Sequence, residues 1–363
     1  MWNETSLTKL LGIRYPIFLG PMGGGFSTPE LLAEVSNSGG LGSLGAYTMD
    51  PEKLLEADII IKASTNKPYN INLWVSDVDA ELANFTEEKL EKVKALFKPH
   101  FDALNVELPE LNPNIASRFE RQVEAVFRIR PAVFSFIFGI PSPEILNEAR
   151  RLGIKTVGAA TTLDEAMALE EARVDAIVAA GFEAGGHRPS FLKPALESLT
   201  GTFALVQQMK SRLKTPIIAA GGITDGKGIA AALTLGADAV QLGTAFLVTD
   251  EANVTALHKA ALLSGESNHT VLSKSLTGRL GRMIANKITA DVPNQIEVLP
   301  FPLQTRLIAP LREAAIAQGK KDMANFWSGQ SPVRLRHSRA ADLMQALVAD
   351  TQNVFQSGSY LHR

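Results

Sequence analysis

"IKTVGAATTLDEAMALEEARVDAIVAAG", residues 154–181, holds one complete structural repeat and sets the reading of the whole chain. Its two ends, "IKTVGAA" (154–160) and "DAIVAAG" (175–181), are short apolar runs of strand type, and "LDEAMALEEAR" between them has a helical pattern. A strand returned to a second strand through a helix makes the two strands parallel. The same rhythm runs outward in both directions. Candidate strands precede it at "YPIFLGPM" (15–22), "LGSLGA" (41–46), "YNINLWV" (69–75) and "VFSFIFG" (133–139), and follow it at "PIIAAGG" (216–222) and "DAVQLGTAFL" (238–247). Helical patterns separate them, as in "TPELLAEVSNSGG", where Thr28 is the N-cap, Pro29 takes the first helical position and glycine closes the element. Eight βα repeats in about 250 residues imply a (β/α)8 TIM barrel, α/β in class, with functional groups at the C-terminal ends of its strands.

Two stretches exceed the repeat. Residues 76–131, containing "TEEKLEKVKALFKPHFDAL", and residues 248–336 read as helical insertions above the active face, since neither is flanked by a Pro/Gly/Ser linker. A closing amphipathic helix is expected near "RAADLMQALVADTQNVF". The expectation is a single domain over residues 1–363.

Composition narrows the class of function. The chain has 363 residues, 45% hydrophobic and 20% charged, enough to bury a large core. Lys plus Arg (36) nearly balances Asp plus Glu (38), so the net charge of −2 gives no electrostatic footprint for nucleic acid or an anionic membrane. The start, "MWNETSLTKLLGIRYPIF", lacks a basic segment followed by a long apolar one, and no apolar run approaches the roughly 20 residues of a membrane span. A cytoplasmic location and small-molecule partners are the expectation. The absence of cysteine removes disulfides, thiolate nucleophiles, Cys-ligated zinc and iron–sulfur clusters together. Histidine, carboxylates, backbone or a cofactor must carry the chemistry.

Three glycine-rich segments compete for a functional reading. "GLGSLG" (40–45) fits G-x-G-x-x-G, but it supplies a strand instead of following one and opening a helix, which is the wrong context for a dinucleotide fold. "GGITDGKG" (221–228) approaches a P-loop, yet Gly228 stands where a Ser or Thr would hold magnesium. The same segment serves better as half of a barrel phosphate site: Gly221 and Gly222 end the seventh strand, and Gly243 with Thr244 lies at the eighth. Each glycine alone could simply make a tight turn; their joint occurrence on one rim favours an anion. The third segment, "GFEAGGHRPSF" (181–191), ends the sixth strand on that rim. Gly185 and Gly186 would let a flat ligand lie against backbone, with His187 over it. A lone histidine is more often a surface or satisfied structural group; its place at a strand's C-terminal end argues otherwise. His100, His258, His269, His337 and His362 lack such context, and no H-x-H or H-E-x-x-H occurs, so no metal is expected. Glu183 is either a second acid or turns away toward a backbone or arginine partner.

The segments "PIFLGPMGGG", "NINLWV", "GFEAGGHR", "PIIAAGGITDGKGIAAALTLGADAVQLGTAFL", "SLTGRLGRMIAN" and "FWSGQ" together resemble the nitronate monooxygenases, formerly 2-nitropropane dioxygenases, of the class I type. The resemblance covers nearly the whole chain and implies a barrel that binds FMN without a covalent link. It implies His187 as the catalytic base. Met22 and Gly23 would border the flavin, Asn72 would contact it, and Gly185 and Gly186 would lie along it. Gly221, Gly222, Gln241, Gly243 and Thr244 would surround its ribityl phosphate. The implied reaction is oxidation by O2 of an anionic alkyl nitronate, such as propionate 3-nitronate, to a carbonyl compound and nitrite. The electron acceptor must be a cofactor, because no side chain supplies one. A substrate that also carries a carboxylate calls for a cation, for which Arg188 and the Arg and Lys residues of the late insertion are candidates. Three positions depart from the family pattern. Ala180 stands where glutamine is common, Pro189 where glycine follows His-Arg, and Phe301 where a tyrosine hydroxyl is usual. Two other readings stay open: an NAD(P)H-dependent FMN enoyl-thioester reductase of similar barrel type, and a non-catalytic flavin-binding barrel. The cysteine-dependent FMN or nucleotide dehydrogenase barrels are excluded by composition.

Overall fold

In a computed structural model describing residues 1–330 and 335–357, eight parallel strands close into a barrel. They are Ile17–Leu19 (β1), Gly42–Gly45 (β2), Tyr69–Trp74 (β3), Val133–Ile137 (β4), Lys155–Ala160 (β5), Ala176–Ala180 (β6), Ile217–Ala220 (β8) and Ala239–Leu242 (β9); the pair Gly186–His187 (β7) lies outside the barrel. The hydrogen-bonded order is β1-β9-β8-β6-β5-β4-β3-β2. The two ends of that order meet through a parallel bridge between Phe18 and Leu41, in which the Leu19 N–H donates to the Leu41 carbonyl at 2.9 Å and the Leu41 N–H to the Ile17 carbonyl at 3.0 Å. Closure removes both exposed edges.

Strand periodicity divides the core into two. Phe18, Val157, Ala159, Val178, Ala180, Ile218 and Ala220 face inward and form one cluster. Their neighbours Ile17, Leu19, Ile177, Ala179, Ile217 and Ala219 face outward and pack under the helices. The end at which the strands begin is plugged by the helix Ser6–Leu11, started by a reciprocal capping box between Thr5 and Thr8, with Leu7 and Leu11 in the inner cluster. Polar side chains interrupt the inward face at β3 and the middle of β4: Asn70, Asn72 and Ser135 are buried there, and Asn72 donates to the Ser135 hydroxyl at 2.9 Å.

The helix Pro29–Asn37 is capped by Thr28 as expected, and Ala340–Ser357 packs on it and on Gly226–Thr234, completing the outer ring. Two expectations are corrected. The eighth strand does not run to 247: Gly243 adopts a right-handed helical conformation, and Thr244–Leu247 is a short helix that buries Ala245, Phe246 and Leu247. Within 76–131, the helix Phe119–Ile129 belongs to the barrel ring, since Phe119, Val123, Val126 and Ile129 join the outer core. What rises above the barrel from this stretch is chiefly the helix Glu87–Leu104.

That helix meets the late insertion in a second hydrophobic cluster. Leu90, Val93, Phe97 and Phe101 pack with Leu307, Ile308 and Leu311 of the helix Leu303–Ala317 and with Met283 and Ile288. The late insertion also carries the hairpin Thr270–Ser273 (β10) and Gly281–Ile284 (β11), and β7 pairs antiparallel with β11: Gly281 opposite His187 and Arg282 opposite Gly186. The insertion is thus joined by main-chain pairing to the loop that leaves β6. No helix among the described residues is long and apolar enough to cross a membrane.

The fit between β2 and its covering helix is close enough to test. A Cβ on Gly42 would lie 2.0 Å from the Leu32 carbonyl oxygen, on the same face as the buried Leu44. Gly42→Ala is expected to lower unfolding stability by about 1–3 kcal/mol or more, the usual range for overpacking against atoms that cannot move aside. The urea midpoint reads this directly.

Candidate active site

His187 owes its position to β7. The chain is tied down on both sides of it: before it, the Glu183 carboxylate accepts from the Thr202 N–H (2.9 Å) and the Thr202 hydroxyl (2.8 Å). Glu183 therefore turns toward a helix start, and the role of second acid is not the one its contacts describe. On the other side the buried Glu165 accepts from the N–H groups of Phe191 (2.6 Å) and Leu192 (3.1 Å) and from Thr161. Pro189 is buried between these two anchors.

The imidazole of His187 sits among aromatic rings. Trp74 meets it edge-on at 5.2 Å between centroids, Trp327 lies at 4.9 Å, and Phe301 and Phe138 follow at 6.2 and 6.4 Å. Tyr47 stacks on Trp74 at 3.6 Å. Burial pushes the His187 pKa down to about 3, and the nearby Arg279 guanidinium lowers it further, so the ring is neutral at physiological pH. Burial also raises the Tyr47 phenol, against the opposing effect of Arg312 and Arg279, which keeps it a neutral donor. The Nε2 atom of His187 is 2.9 Å from the Thr277 hydroxyl.

Among the described residues, one cation lies over these rings. Arg279 lies over the rings of Phe138 (4.2 Å), Phe301 (4.6 Å) and Trp74 (5.5 Å). Its Nε donates to Asp79 at 2.7 Å and one terminal nitrogen to the Ser76 carbonyl at 2.9 Å. Asp79 in turn accepts from the Phe301 N–H at 2.7 Å, so the segment 76–79 holds both the arginine and the aromatic wall. Arg188 is different from the expectation. Its guanidinium donates to the carbonyls of Ala180 (2.8 Å), Gly181 (2.6 Å) and Ser198 (2.8 Å), and the residue is 1% exposed. Burial holds its pKa down at about 10. It is a brace between β6 and the 198 loop and is not placed to receive a substrate carboxylate.

The expected glycines fall into two groups. A Cβ on Gly23 would strike the Tyr47 ring at 2.3 Å, one on Gly221 the Thr202 hydroxyl at 2.6 Å, and one on Gly185 the Gly329 backbone nitrogen at 2.5 Å. These three permit the chain to pack against itself. A Cβ on Gly186, at φ +81°, would have nothing within 4 Å; one on Gly222 would meet only Glu183 carbons from 3.5 Å, and one on Gly243 only the Met22 side chain from 3.7 Å. These face open space or flexible atoms, as a ligand hollow needs. Gln241, in register with the inward-facing Phe18, and Asn72, bonded to Ser135, lie on the inward face of the barrel. Thr244 accepts from the Gly329 N–H at 2.9 Å, and the Gln330 N–H donates to the Glu183 carbonyl at 2.8 Å. The strap 328–330 thus joins the rim loops of β6 and β9.

Thr277, Arg279, Trp74, Trp327, Tyr47 and the strap were not singled out by sequence. The signal was faint but present: of three tryptophans in the chain, two flank the histidine. Of the other histidines, His100 pairs with Asp291 (3.4 Å), His258 with the Trp327 carbonyl (2.8 Å), and His362 lies outside the described residues. No group of three or more His, Asp or Glu able to hold a metal occurs among the described residues.

The barrel rim thus carries a neutral histidine, a buried arginine and glycines whose Cβ positions are open, and the family to which the chain belongs makes it a flavin-dependent oxidoreductase. The chain belongs to the nitronate monooxygenase family, whose model matches residues 4–350. It is 36% identical over 358 residues, 98% of this chain and 99% of the other, to a probable nitronate monooxygenase of Staphylococcus aureus strain Newman. Among solved structures it resembles a nitroalkane oxidase from Streptomyces ansochromogenes, with a TM-score of 0.88 and 31% identity over 97% of this chain and 99% of that one. FabK from Thermotoga maritima follows at a TM-score of 0.75 and 25% identity, covering 98% of each chain.

The histidine that supports Trp327 makes the site's framework acid-sensitive. Burial lowers the pKa of His258 from 6.5 to about 4, against the hydrogen bond to Trp327 that favours its protonated form. An unfolded chain takes up that proton between these values and the folded one does not. The resulting stability is fully present above pH 6.5 and lost as pH falls through 4, a loss on the order of 3 kcal/mol from this group. Urea unfolding at pH 7.5 and 4.5 should show the fall, and His258→Gln, whose amide can still donate to the Trp327 carbonyl, should show less of it.

Proposed function

We propose that this protein oxidises anionic alkyl nitronates, such as propionate 3-nitronate, with O2 to a carbonyl compound and nitrite, using FMN. The observation that carries the reading is the juxtaposition of a neutral, half-buried His187 and a buried Arg279 inside an aromatic cage, on a rim where the Cβ positions of Gly186, Gly222 and Gly243 are open. That rim suits the flavin. Gly186, Gly222 and Gly243 offer backbone with no side chain in the way, and Gln241, Thr244 and Gly221 stand on the same rim for the ribityl phosphate. Met22, Gly23 and Gly185 would border the isoalloxazine and Asn72 would reach it from inside the barrel. FMN, when bound, supplies the electron acceptor that the side chains lack.

The chain's own residues select the substrate. A nitronate carries its negative charge on the nitro oxygens, and Arg279 is the cation held within the cage; Asp79 takes its Nε–H and Ser76 one N–H of each terminal nitrogen, which leaves a second N–H on each to meet an anion. Trp74, Phe138, Phe301 and Trp327 exclude water and present apolar surface to an alkyl chain. His187 is neutral at physiological pH, so its free lone pair is available to accept the α-proton of a neutral nitroalkane, whereas a preformed nitronate needs no such step.

The protein is expected to purify yellow and to release FMN on denaturation. Mixing it anaerobically with propionate 3-nitronate should bleach the visible spectrum, and oxygen should restore it without any nicotinamide. Rapid, saturable bleaching by NADH with no response to nitronate would move the assignment to an enoyl-thioester reductase; a colourless protein that takes up no FMN would remove the flavin reading altogether.

His187→Asn should leave the protein folded and FMN bound. Proton removal by a general base is worth about 10²–10⁴-fold, so kcat/KM for neutral nitroethane should fall on that scale while that for its preformed anion falls much less. Equal losses on the two substrates would make His187 an anion-binding group.

A further inference from the structure

We infer that Thr277 is a positioning residue: it fixes His187 as the Nε2–H tautomer, which makes Nδ1 the nitrogen with the free lone pair. The inference follows from counting protons. The Thr277 hydroxyl has one proton and two short contacts, 2.9 Å to His187 Nε2 and 3.0 Å to the Arg279 carbonyl oxygen. A carbonyl can only accept, so the hydroxyl proton goes to Arg279. The oxygen then offers a lone pair to the imidazole, and Nε2 must donate. A neutral imidazole has one N–H, and burial keeps this one neutral. The reverse arrangement would set the Thr277 oxygen and the Arg279 carbonyl lone pair to lone pair at 3.0 Å in a buried place.

The hydroxyl is not free to choose otherwise. Thr277 lies in a turn closed by its own N–H and that of Gly278, both donating to the Lys274 carbonyl at 3.2 and 2.8 Å. Arg279 is clamped to Asp79 and Ser76, which fixes the carbonyl that receives the proton. Trp74 and Trp327 hold the ring on either side. One residue, Arg279, thus acts twice: its side chain brings charge to the cage, and its backbone sets the tautomer through Thr277.

The consequence for catalysis rests on the reading of His187 given above; the tautomer does not. If Nδ1 accepts the α-proton of a neutral nitroalkane, loss of the Thr277 hydroxyl leaves Nε2–H without its acceptor and lets the proton move to the nitrogen that should be bare. A preformed nitronate has no such proton to give. Thr277 should therefore matter for one substrate and not for the other.

Nitrogen-15 NMR of the FMN-loaded, histidine-labelled protein tests the tautomer, with the His187 signals assigned by their loss in His187→Asn. A protonated Nε2 and bare Nδ1 are expected in the wild type, and a shift toward the other tautomer in Thr277→Val. A wild-type ring protonated on Nδ1 overturns the inference whatever the enzyme oxidises. In kinetics, Thr277→Val should lower kcat for neutral nitroethane by about 10²-fold, the scale on which a mis-set histidine tautomer acts, with little change for ethyl nitronate or in the flavin spectrum. Thr277→Ser should restore it. Equal turnover of nitroethane by Thr277→Val and wild type overturns the positioning role. Failure of every variant, wild type included, to oxidise any nitronate would instead count against the function proposed above, with the tautomer still read from the spectrum.

Discussion

The short antiparallel pairing of Gly186–His187 with Gly281–Arg282 is the contact on which the site depends. A parallel barrel leaves its strand ends as loops, and loops move. Here the loop after β6 becomes a strand of a second sheet, supplied by a segment almost a hundred residues later in the chain. That pairing sets the histidine's backbone, brings Thr277 and Arg279 beside its ring, and seats Trp327 over Gly281, where a Cβ would lie 2.7 Å from the indole. The glycine at 281 is a condition of the aromatic wall.

Charge is handled by satisfying it locally. Among the described residues three arginines are buried near the barrel mouth, and each has a fixed set of acceptors: backbone carbonyls for Arg188, Asp79 and Ser76 for Arg279, the Phe182 carbonyl and Thr270 hydroxyl for Arg282. Only Arg279 does this on the aromatic side, facing the histidine. The Arg188 Nε is buried without a partner among the described residues, which a brace made for its terminal nitrogens tolerates at some cost. The same dry surroundings that keep His187 neutral strengthen the field of Arg279 at that point.

The sequence by itself determined the barrel. Eight apolar runs of strand length, separated by helices, have few ways to bury both faces of each strand, and closure is the one realised; Thr28 and Pro29 start their helix where chemistry requires. It also located the rim, because glycines and a histidine at strand ends are visible one residue at a time. It could not tell which glycines have room for a side chain: Gly185 and Gly186 are adjacent and look equivalent, yet a Cβ on one would strike Gly329 and on the other would meet open space. Nor could it distinguish Arg188 from Arg279, since the same guanidinium serves as brace or as cage cation according to the acceptors around it. Those distinctions depend on partners far away in the chain. Helical and strand periods are local properties that a sequence carries directly, whereas the protonation state, tautomer and role of a buried polar group are set by neighbours that only the folded chain brings within hydrogen-bonding distance.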